Sequence, residues 1–459
     1  MPRVVTTTLT RAARWPDAAD DRATSVGDRL LRPFGDVRRS EGNDATLLLI
    51  TLFLILCGYY ICKTVREPLI LTGGGAEVKA YASGFQALAL MVFVPVYSWL
   101  AAHVSRLTLV TTVTLFVVAT LELFWLAGQT AQPHYLGIAF FVWVGIFNNA
   151  IVAQFWSYGN DLYTPERGAR LFPVIGIGAT LGSPVGAYVA KTLFDRGVPA
   201  LHLLQLAVLA LLLSLAGYLL VERRQPERSP DAAARPASIS TRDGFLLLAR
   251  NRYLRLICLL LLVLNVVNTT GEYILSRAVL ASAEAALPGA TDAAREAYIG
   301  SFFGSYFFWV NVGAIVIQSL LVSRLVHVAG IAGVLLVLPI ASLVTYAMVL
   351  AGAGLQTFRW TKTVENATDY SAMNTARQML WLPTGRQEKY AAKQAADTFV
   401  VRIGDVLAAG LVFAGTTWLS MDRQAFAGAL VVVIAIWAGV AWLLISEYRR
   451  RQHAAHPAR

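Results

Sequence analysis

The feature that most constrains this chain is a series of twelve apolar runs, each close to 20 residues long. An α-helix needs about 20 apolar residues to cross the roughly 30 Å hydrocarbon layer of a bilayer. Charged residues make up 15% of the chain, against about 25% in an average soluble domain. The pattern predicts an all-α membrane protein with twelve transmembrane helices. The predicted spans 1 to 12 cover residues 45–70, 84–103, 107–128, 135–158, 171–192, 201–221, 253–277, 300–323, 330–352, 356–382, 395–419 and 425–446.

A polar stretch between spans 6 and 7, VERRQPERSPDAAARPASISTRDG, divides the twelve spans into six and six. Its Arg, Pro and Ala content suits a flexible connection. We therefore expect two six-helix bundles joined by a long central loop. The predicted units are a polar tail (1–44), an N-terminal bundle (45–221), the central loop (222–252), a C-terminal bundle (253–446) and a basic tail (447–459).

Basic residues concentrate in one set of connections between the spans. The N-terminal tail carries eight Arg, and the central loop carries seven. The loops between spans 3 and 4 and between spans 9 and 10 carry neither Lys nor Arg. Because cytoplasmic loops of membrane proteins are enriched in Lys and Arg, we expect both termini to face the cytoplasm. The expected location is the inner (plasma) membrane, crossed many times.

The sequence carries no recognisable motif for catalysis, for a cofactor or for a metal. It has no GxxxxGK[ST] phosphate-binding loop, and its three Cys lie in apolar runs without neighbouring His. The net charge of +11 lies mostly in tails and loops, away from any surface that interleaves basic and aromatic residues for nucleic acid. We expect no enzyme, no cofactor and no nucleic-acid partner, while the oligomeric state is left open.

Polar and ionisable residues form stripes on spans 1, 4, 7 and 10. An ionisable side chain at membrane depth costs a few kcal/mol or more, so it usually faces a cavity and has a function. Equivalent helices of a repeated three-helix unit can converge on one central cavity. The residues predicted to bind a substrate are Lys63, Arg66, Asn149, Asn265, Asn268, Arg359 and Lys362. Those predicted to act in coupling or gating are Glu67, Glu272, Glu365 and Asp369.

Four of these cations, on spans 1 and 10, predict a basic cavity. Arg matches phosphate oxygens with two parallel hydrogen bonds and Lys supplies a point charge, so the expected substrate is a small anion, phosphate compounds above all. For Lys63 and Arg66 an alternative is that both side chains extend to water from the end of span 1. Arg66 and Glu67 could also form a purely structural pair. For the charges of span 10 we expect salt bridges to neighbouring helices that gate one side.

A glycine-rich stretch in span 5, GIGATLGSPVG, superficially resembles a dinucleotide-binding loop. It lies inside an apolar span with no strand before it. Its glycines Gly178, Gly182 and Gly186 recur every four residues, which lets two helices approach closely. The stretch therefore predicts helix packing and not nucleotide binding.

Three stretches resemble the nucleotide transporter family of intracellular bacteria and plastids, the ATP:ADP antiporters with a major-facilitator-like fold. They are KTVREPLILT (63–72), FWSYGNDLYTPERGARLFPVIGIGATLG (155–182) and ENATDYSAMNTARQMLWLPTGRQEKYAAKQAADTFVVRIGD (365–405). The resemblance implies a divergent member that exchanges ATP for ADP, or imports nucleotides with protons, by alternating access. It places Arg66 where the family has a Lys in span 1, and it matches Lys393 and Asp397 to the family's loop pattern, as further coupling or gating candidates.

The chain departs from the family pattern at three places. Span 4 has no acidic residue near its start. Asn265 or Asn268 falls near the family's Glu of span 7, with Glu272 as a substitute, and Asp405 stands where the family has a Lys in span 11. Because these departures fall on site residues, the resemblance implies the fold more directly than it implies ATP and ADP as substrates.

The expected function is a secondary active transporter that moves a nucleotide or another anionic metabolite across the lipid bilayer. One alternative is a proton-coupled transporter of an unrelated organic solute, with Glu67, Glu272 or Asp369 as the protonated group. A second alternative is a non-transporting membrane sensor or assembly partner with the same fold.

Overall fold

The structure is a computed structural model, and it describes residues 26–34, 36–38, 41–130, 133–224, 247–248, 250–385 and 392–455. Most of the predicted N-terminal tail and of the central loop lies outside the described residues, as does the end of the C-terminal tail. The described residues are almost entirely helical.

The helices differ widely in length, and π-helical segments interrupt them at several places among the described residues. The helices are α1 (Val26–Leu31), α2 (Gly42–His103), α3 (Arg106–Ala127), α4 (Pro133–Leu162), α5 (Pro165–Asp195), α6 (Leu203–Arg224), α7 (Arg252–Ala286), α8 (Asp292–Val316), α9 (Ser323–Leu350), α10 (Leu355–Thr368), α11 (Asn374–Leu380), α12 (Lys393–Ala395), α13 (Val401–Thr417) and α14 (Arg423–Ala455). The π-helical segments are Ile317–Val322, Asp369–Met373 and Ala396–Val400.

Several long helices begin at a polar residue whose side chain caps the first turn. Ser105, Thr164, Asn251 and Thr291 each accept a hydrogen bond from a backbone N–H of α3, α5, α7 or α8. Such caps satisfy donors that the helix itself leaves unpaired. They fix where the chain leaves each short connection and re-enters the bundle.

Nine helical stretches among the described residues are long and apolar enough to cross a membrane. Two of them, Gly42–Ala101 and Asp292–Leu350, contain 60 and 59 residues, about 90 Å if straight. Each is broken at a glycine of positive φ, Gly75 (82°) or Gly330 (59°). If each of these two stretches crosses the membrane twice, the nine stretches make eleven crossings. The charged tenth segment (355–380) would be the twelfth, so the structure is consistent with twelve spans.

The break at Gly75 reverses the chain direction, as one contact demonstrates. Glu67 and Lys79 are twelve residues apart and would be separated by about 18 Å along a straight helix. Their side chains are 2.5 Å apart (Oε2 to Nζ). Spans 1 and 2 therefore lie side by side, and the positive φ at this turn explains the choice of glycine.

Helix α5 packs directly on span 1 through the three glycines of its apolar stretch. A Cβ on Gly178, Gly182 or Gly186 would lie 2.2–2.4 Å from a backbone carbonyl oxygen of span 1. Only glycine allows so close an approach of two backbones. The prediction that these glycines serve helix packing is confirmed.

We expect the substitution Gly182→Ala to destabilise the protein, because the added methyl would meet the Phe53 carbonyl oxygen at 2.4 Å. Overpacking of this kind costs about 1–3 kcal/mol. The control is Gly176→Ala on the same helix, where nothing lies within 4 Å of the added Cβ. Since alanine is roughly 0.5–1 kcal/mol better than glycine inside a helix, the control should keep or raise the melting temperature in detergent. Equal melting temperatures for the two variants would contradict the packing.

Candidate functional site

A cavity of about 600 Å³ lies between the two halves of the molecule. Its wall is built from the second half of span 2, the end of α4 and the start of span 11. These segments meet at the side of the bundle where α2 begins, which we call the termini side. The polar residues that line the cavity are Tyr97, Ser98, Asn149, Ser157, Asp161, Asp397, Thr398 and Arg402.

The opposite side of the bundle, the far side, is closed by contacts between the halves. Spans 1 and 2 of the N-terminal half meet α7 and α8 of the C-terminal half there. The hydrogen bonds there are Lys79 to Ser276 (2.8 Å) and Tyr273 to Glu77 (2.9 Å), and a third, Tyr60 to Asn311 (3.1 Å), joins the halves nearer the middle of the spans. A Cβ added to Gly300 or Gly304 of α8 would also meet Phe194 or Lys191 of α5 within 3 Å.

A buried carboxylate organises the closed side. Glu67 is 1% exposed, and its two oxygens face Arg66 Nε (3.0 Å) and Lys79 Nζ (2.5 Å). Lys79 also donates to Ser276 of α7. One carboxylate thus holds spans 1 and 2 together and, through Lys79, joins them to the C-terminal half.

Lys63 lies beside this cluster in a cage of three aromatic rings. Its Nζ is 5.0 Å from the ring centre of Tyr60, 4.5 Å from that of Phe307 and 5.8 Å from that of Tyr370. The side chain is 8% exposed, and among the described residues no carboxylate lies within ion-pair distance. The alternative that Lys63 extends to water is therefore wrong.

Tyr59, one turn before Lys63, connects the cage to α4. Its ring packs against Phe147 with ring centres 6.3 Å apart. Asn149, which lines the large cavity, follows Phe147 by two residues and therefore lies on a different face of α4.

The charges of span 10 pair within their own helix. Lys362 is fully buried and contacts Glu365 at 2.8 Å, while Asp369 contacts Arg377 at 3.4 Å. The expectation of salt bridges from these charges to neighbouring helices is wrong for the part of the chain that the structure describes. A spacing of three residues puts Lys362 and Glu365 on one helix face, where they meet each other first.

Neighbouring helices reach the charges of span 10 through hydrogen bonds instead. Lys362 donates to Asn268 of α7 (3.3 Å) and to Tyr346 of α9 (3.1 Å). Glu272 of α7 accepts from Asn366 of α10 (2.9 Å) and from Tyr306 of α8 (3.3 Å). These contacts gather Asn268, Glu272, Lys362 and Glu365 into one polar cluster.

The remaining predicted residues lie outside these clusters. Arg359 bonds Ser305 of α8 (2.6 Å), Lys393 bonds Gln378 (2.7 Å), and Asn265 bonds the backbone of its own helix. Asn149 and Asp397 line the large cavity. The structure therefore does not bring Arg359 and Lys362 together with Lys63 and Arg66 in one basic cavity.

Some contributors to the site escape prediction from the sequence. Lys79 falls in the predicted loop between spans 1 and 2, so a helical wheel of either span omits it. Tyr346 carries no charge and lies in an apolar run. Asp405 stands where the family has a Lys. In this chain its carboxylate pairs with Arg402 (3.4 Å) and accepts a hydrogen bond from Thr269 of α7 (2.8 Å).

The electrostatics around Lys63 and Glu67 favour an anion. Lys63, Arg66 and Lys79 lie around Glu67, and Glu272 interacts electrostatically with Lys63 and Arg66. Three cations thus face two carboxylates. A bound anion would offset the excess positive charge in a region where water cannot.

No protein-family profile matches the chain. The ADP,ATP carrier protein 1 of Chlamydia pneumoniae is 21% identical to it over 355 residues, 65% of this chain. The chain spans 65% of the length of that relative.

Several solved structures share the fold. The nucleoside transporter NupG matches with a TM-score of 0.62 and 14% identity, covering 88% of this chain and 98% of its own. The peptide transporter POT in complex with sulfate matches with a TM-score of 0.63 and 12% identity, covering 93% and 99%. A bacterial homologue of the iron transporter ferroportin, in an inward-facing state, matches with a TM-score of 0.62 and 15% identity over 88% and 99%.

These similarities establish the fold as all-helical and major-facilitator-like. The chain is a multi-pass membrane protein.

The buried Glu67 and Lys79 pair gives a direct test of the site. We expect Glu67→Ala and Lys79→Met each to destabilise the protein strongly, since removal of one partner of a buried ion pair costs about 3–5 kcal/mol. The double variant should lose less than the sum of the two, because it no longer contains an unpaired Lys79, although Arg66 still lacks its partner. The measurement is a double-mutant cycle of melting temperatures in detergent.

The control pair is Glu447 and Arg450 on α14, 3.9 Å apart with Arg450 76% exposed. Its removal should cost at most about 1 kcal/mol. Additive losses for Glu67→Ala and Lys79→Met, like those of the control pair, would show that the two side chains do not interact.

Proposed function

We propose that this protein is a secondary active transporter that moves a nucleotide or a similar anionic metabolite by alternating access. The observation that carries the proposal is the cavity of about 600 Å³ between the halves on the termini side, together with the contacts between the halves on the far side. Such an arrangement is one state of a cycle in which the two halves rock about a central site.

The site supports an anionic substrate through Lys63 and Arg66. The Lys63 ammonium lies near aromatic rings, and no carboxylate of the described residues is within ion-pair distance of it. It can therefore bind an anionic substrate. Arg66 Nε binds Glu67 while the guanidinium stacks 4.5 Å from the ring centre of Phe141. Its remaining N–H groups can serve a phosphate. The similarity to an ADP,ATP carrier supports a nucleotide within this class.

The other predicted residues take roles that follow from their positions. Asn149 and Asp397 would line the entry path, while Asn268 and Lys362 would belong to the separate polar cluster of the C-terminal half. Glu67 would hold Arg66 and Lys79 in place, and Glu365 and Asp369 would do the same for Lys362 and Arg377. Glu272 would act in coupling, and Arg359 and Lys393 would lie at the two ends of span 10. The bundle limits, 45–221 and 253–446, would define the rocking halves.

The charge distribution supports an orientation with both termini in the cytoplasm of a cell whose inner membrane holds the protein. In that orientation the described conformation faces inward. The large cavity would then receive substrate from the cytoplasm, and the Glu67 cluster would close the outer side.

A proton-coupled cycle is the second candidate, and Glu272 favours it. Its carboxylate accepts from two neutral groups, Asn366 and Tyr306, and no cation among the described residues lies within ion-pair distance of it. A carboxylate with neutral partners can gain a proton without breaking a salt bridge.

The test is uptake of labelled ATP into proteoliposomes that are preloaded with ADP. We expect internal ADP to accelerate uptake, and Lys63→Met to reduce that exchange at least about tenfold, a loss of roughly 1.4 kcal/mol or more of substrate interaction. Met keeps the length of the side chain while removing its charge.

The matched control is Arg255→Met, on an exposed face near the start of α7, which should leave exchange unchanged. If the rate of ATP uptake is the same with and without internal ADP, nucleotide exchange is refuted. If uptake depends instead on a pH gradient and not on ADP, the proton-coupled candidate replaces it.

A further inference from the structure

A much smaller cavity lies within the C-terminal half, apart from the cavity between the halves. Its volume is about 10 Å³, which is room for the centre of one water molecule. Helices α7, α9, α10 and α14 and one π-helical segment surround it. The polar residues of its wall are Asn268, Ser342, Glu365, Asn366, Asp369 and Trp437.

Three atoms of this wall are buried polar groups that find no hydrogen-bond partner among the described residues. They are Ser342 Oγ, Glu365 Oε2 and Trp437 Nε1. Their residues are 1%, 3% and 1% exposed. Because buried polar groups in proteins are nearly always hydrogen-bonded, three such atoms around one water-sized space point to a bound molecule.

We propose that this small cavity is a binding site for a single water molecule. The Trp437 N–H and the Ser342 hydroxyl would donate to the water oxygen, and the water would donate one hydrogen to Glu365 Oε2. Its second hydrogen would go to the carboxylate of Asp369. All four hydrogen-bonding positions of a water molecule are then used.

The chemistry of the wall selects water over a sodium ion, which the carboxylates alone could also attract. The indole N–H of Trp437 is only a donor, so it needs an acceptor and would repel a cation. Lys362 Nζ already lies 2.8 Å from the other oxygen of Glu365. A second cation on Glu365 would face that ammonium across a region of low dielectric.

The water gives span 12 a part in the site that its sequence does not reveal. Residues 425–446 contain no ionisable side chain, and Trp437 is the contribution of α14 to this wall. Through the water, α14 is joined to the Lys362–Glu365 pair and to the Asp369–Arg377 pair. The two ion pairs of span 10 become one hydrogen-bonded network.

The proposal is tested by whether removal of the Ser342 hydroxyl lowers or raises the melting temperature. We expect Ser342→Ala to lower the melting temperature by about 2 °C or more, because the water loses a partner. The control is Thr270→Val on α7, whose buried Oγ1 also finds no partner among the described residues but lies away from the small cavity. Removing that hydroxyl should leave the melting temperature unchanged or raise it.

Three results would overturn the proposal. If Ser342→Ala keeps or raises the melting temperature, or if both variants lower it equally, no water is held there by Ser342. A rise in wild-type melting temperature when sodium chloride replaces choline chloride, abolished in Ser342→Ala, would assign the site to sodium. A cryo-EM map that resolves waters should show density bonded to Ser342, Glu365 and Trp437, and its absence would also refute the proposal.

Discussion

An ionised side chain inside a membrane protein must find its partner within the protein, because hydrocarbon cannot solvate it. This constraint fixes the arrangement around Glu67. The chain reverses at Gly75 so that Lys79 reaches the carboxylate, and Lys79 in turn bonds Ser276 of the opposite half. The interaction that stabilises the turn between spans 1 and 2 therefore also closes the far side of the molecule.

The same constraint explains how a transporter of this kind could change state. Among the described residues few hydrogen bonds join the halves on the far side, and they involve neutral partners such as Ser276 and Tyr273. Such bonds can exchange for water or for one another as the halves separate, while Glu67 keeps both of its cations. The ion pairs of span 10 lie within one helix, so they too survive a rigid-body movement.

Much of the fold follows from the sequence, because membrane thickness alone sets the length of each apolar run. The packing role of the α5 glycines was also predictable, because their spacing of four residues places them on one face of the helix. The polar clusters were only partly predictable. A wheel shows which residues of one span share a face, and it placed Lys63, Arg66 and Glu67 together. It cannot show that Lys79 folds back across a turn, or that Trp437 of an uncharged span borders Glu365.

The central claim is that the two halves rock about a site near Lys63. It is tested most directly by spin-label distances in a variant whose native cysteines are replaced. One label pair, at Tyr81 and Thr416, would report the far side, where the two hydroxyls are 3.3 Å apart. The other, at Ser157 and Thr398, would span the large cavity. We predict that, when nucleotide is added, a fraction of the molecules shows a longer distance between the far-side labels and a shorter distance between the labels across the large cavity. Distances that stay unchanged, or that lengthen together, would contradict the account.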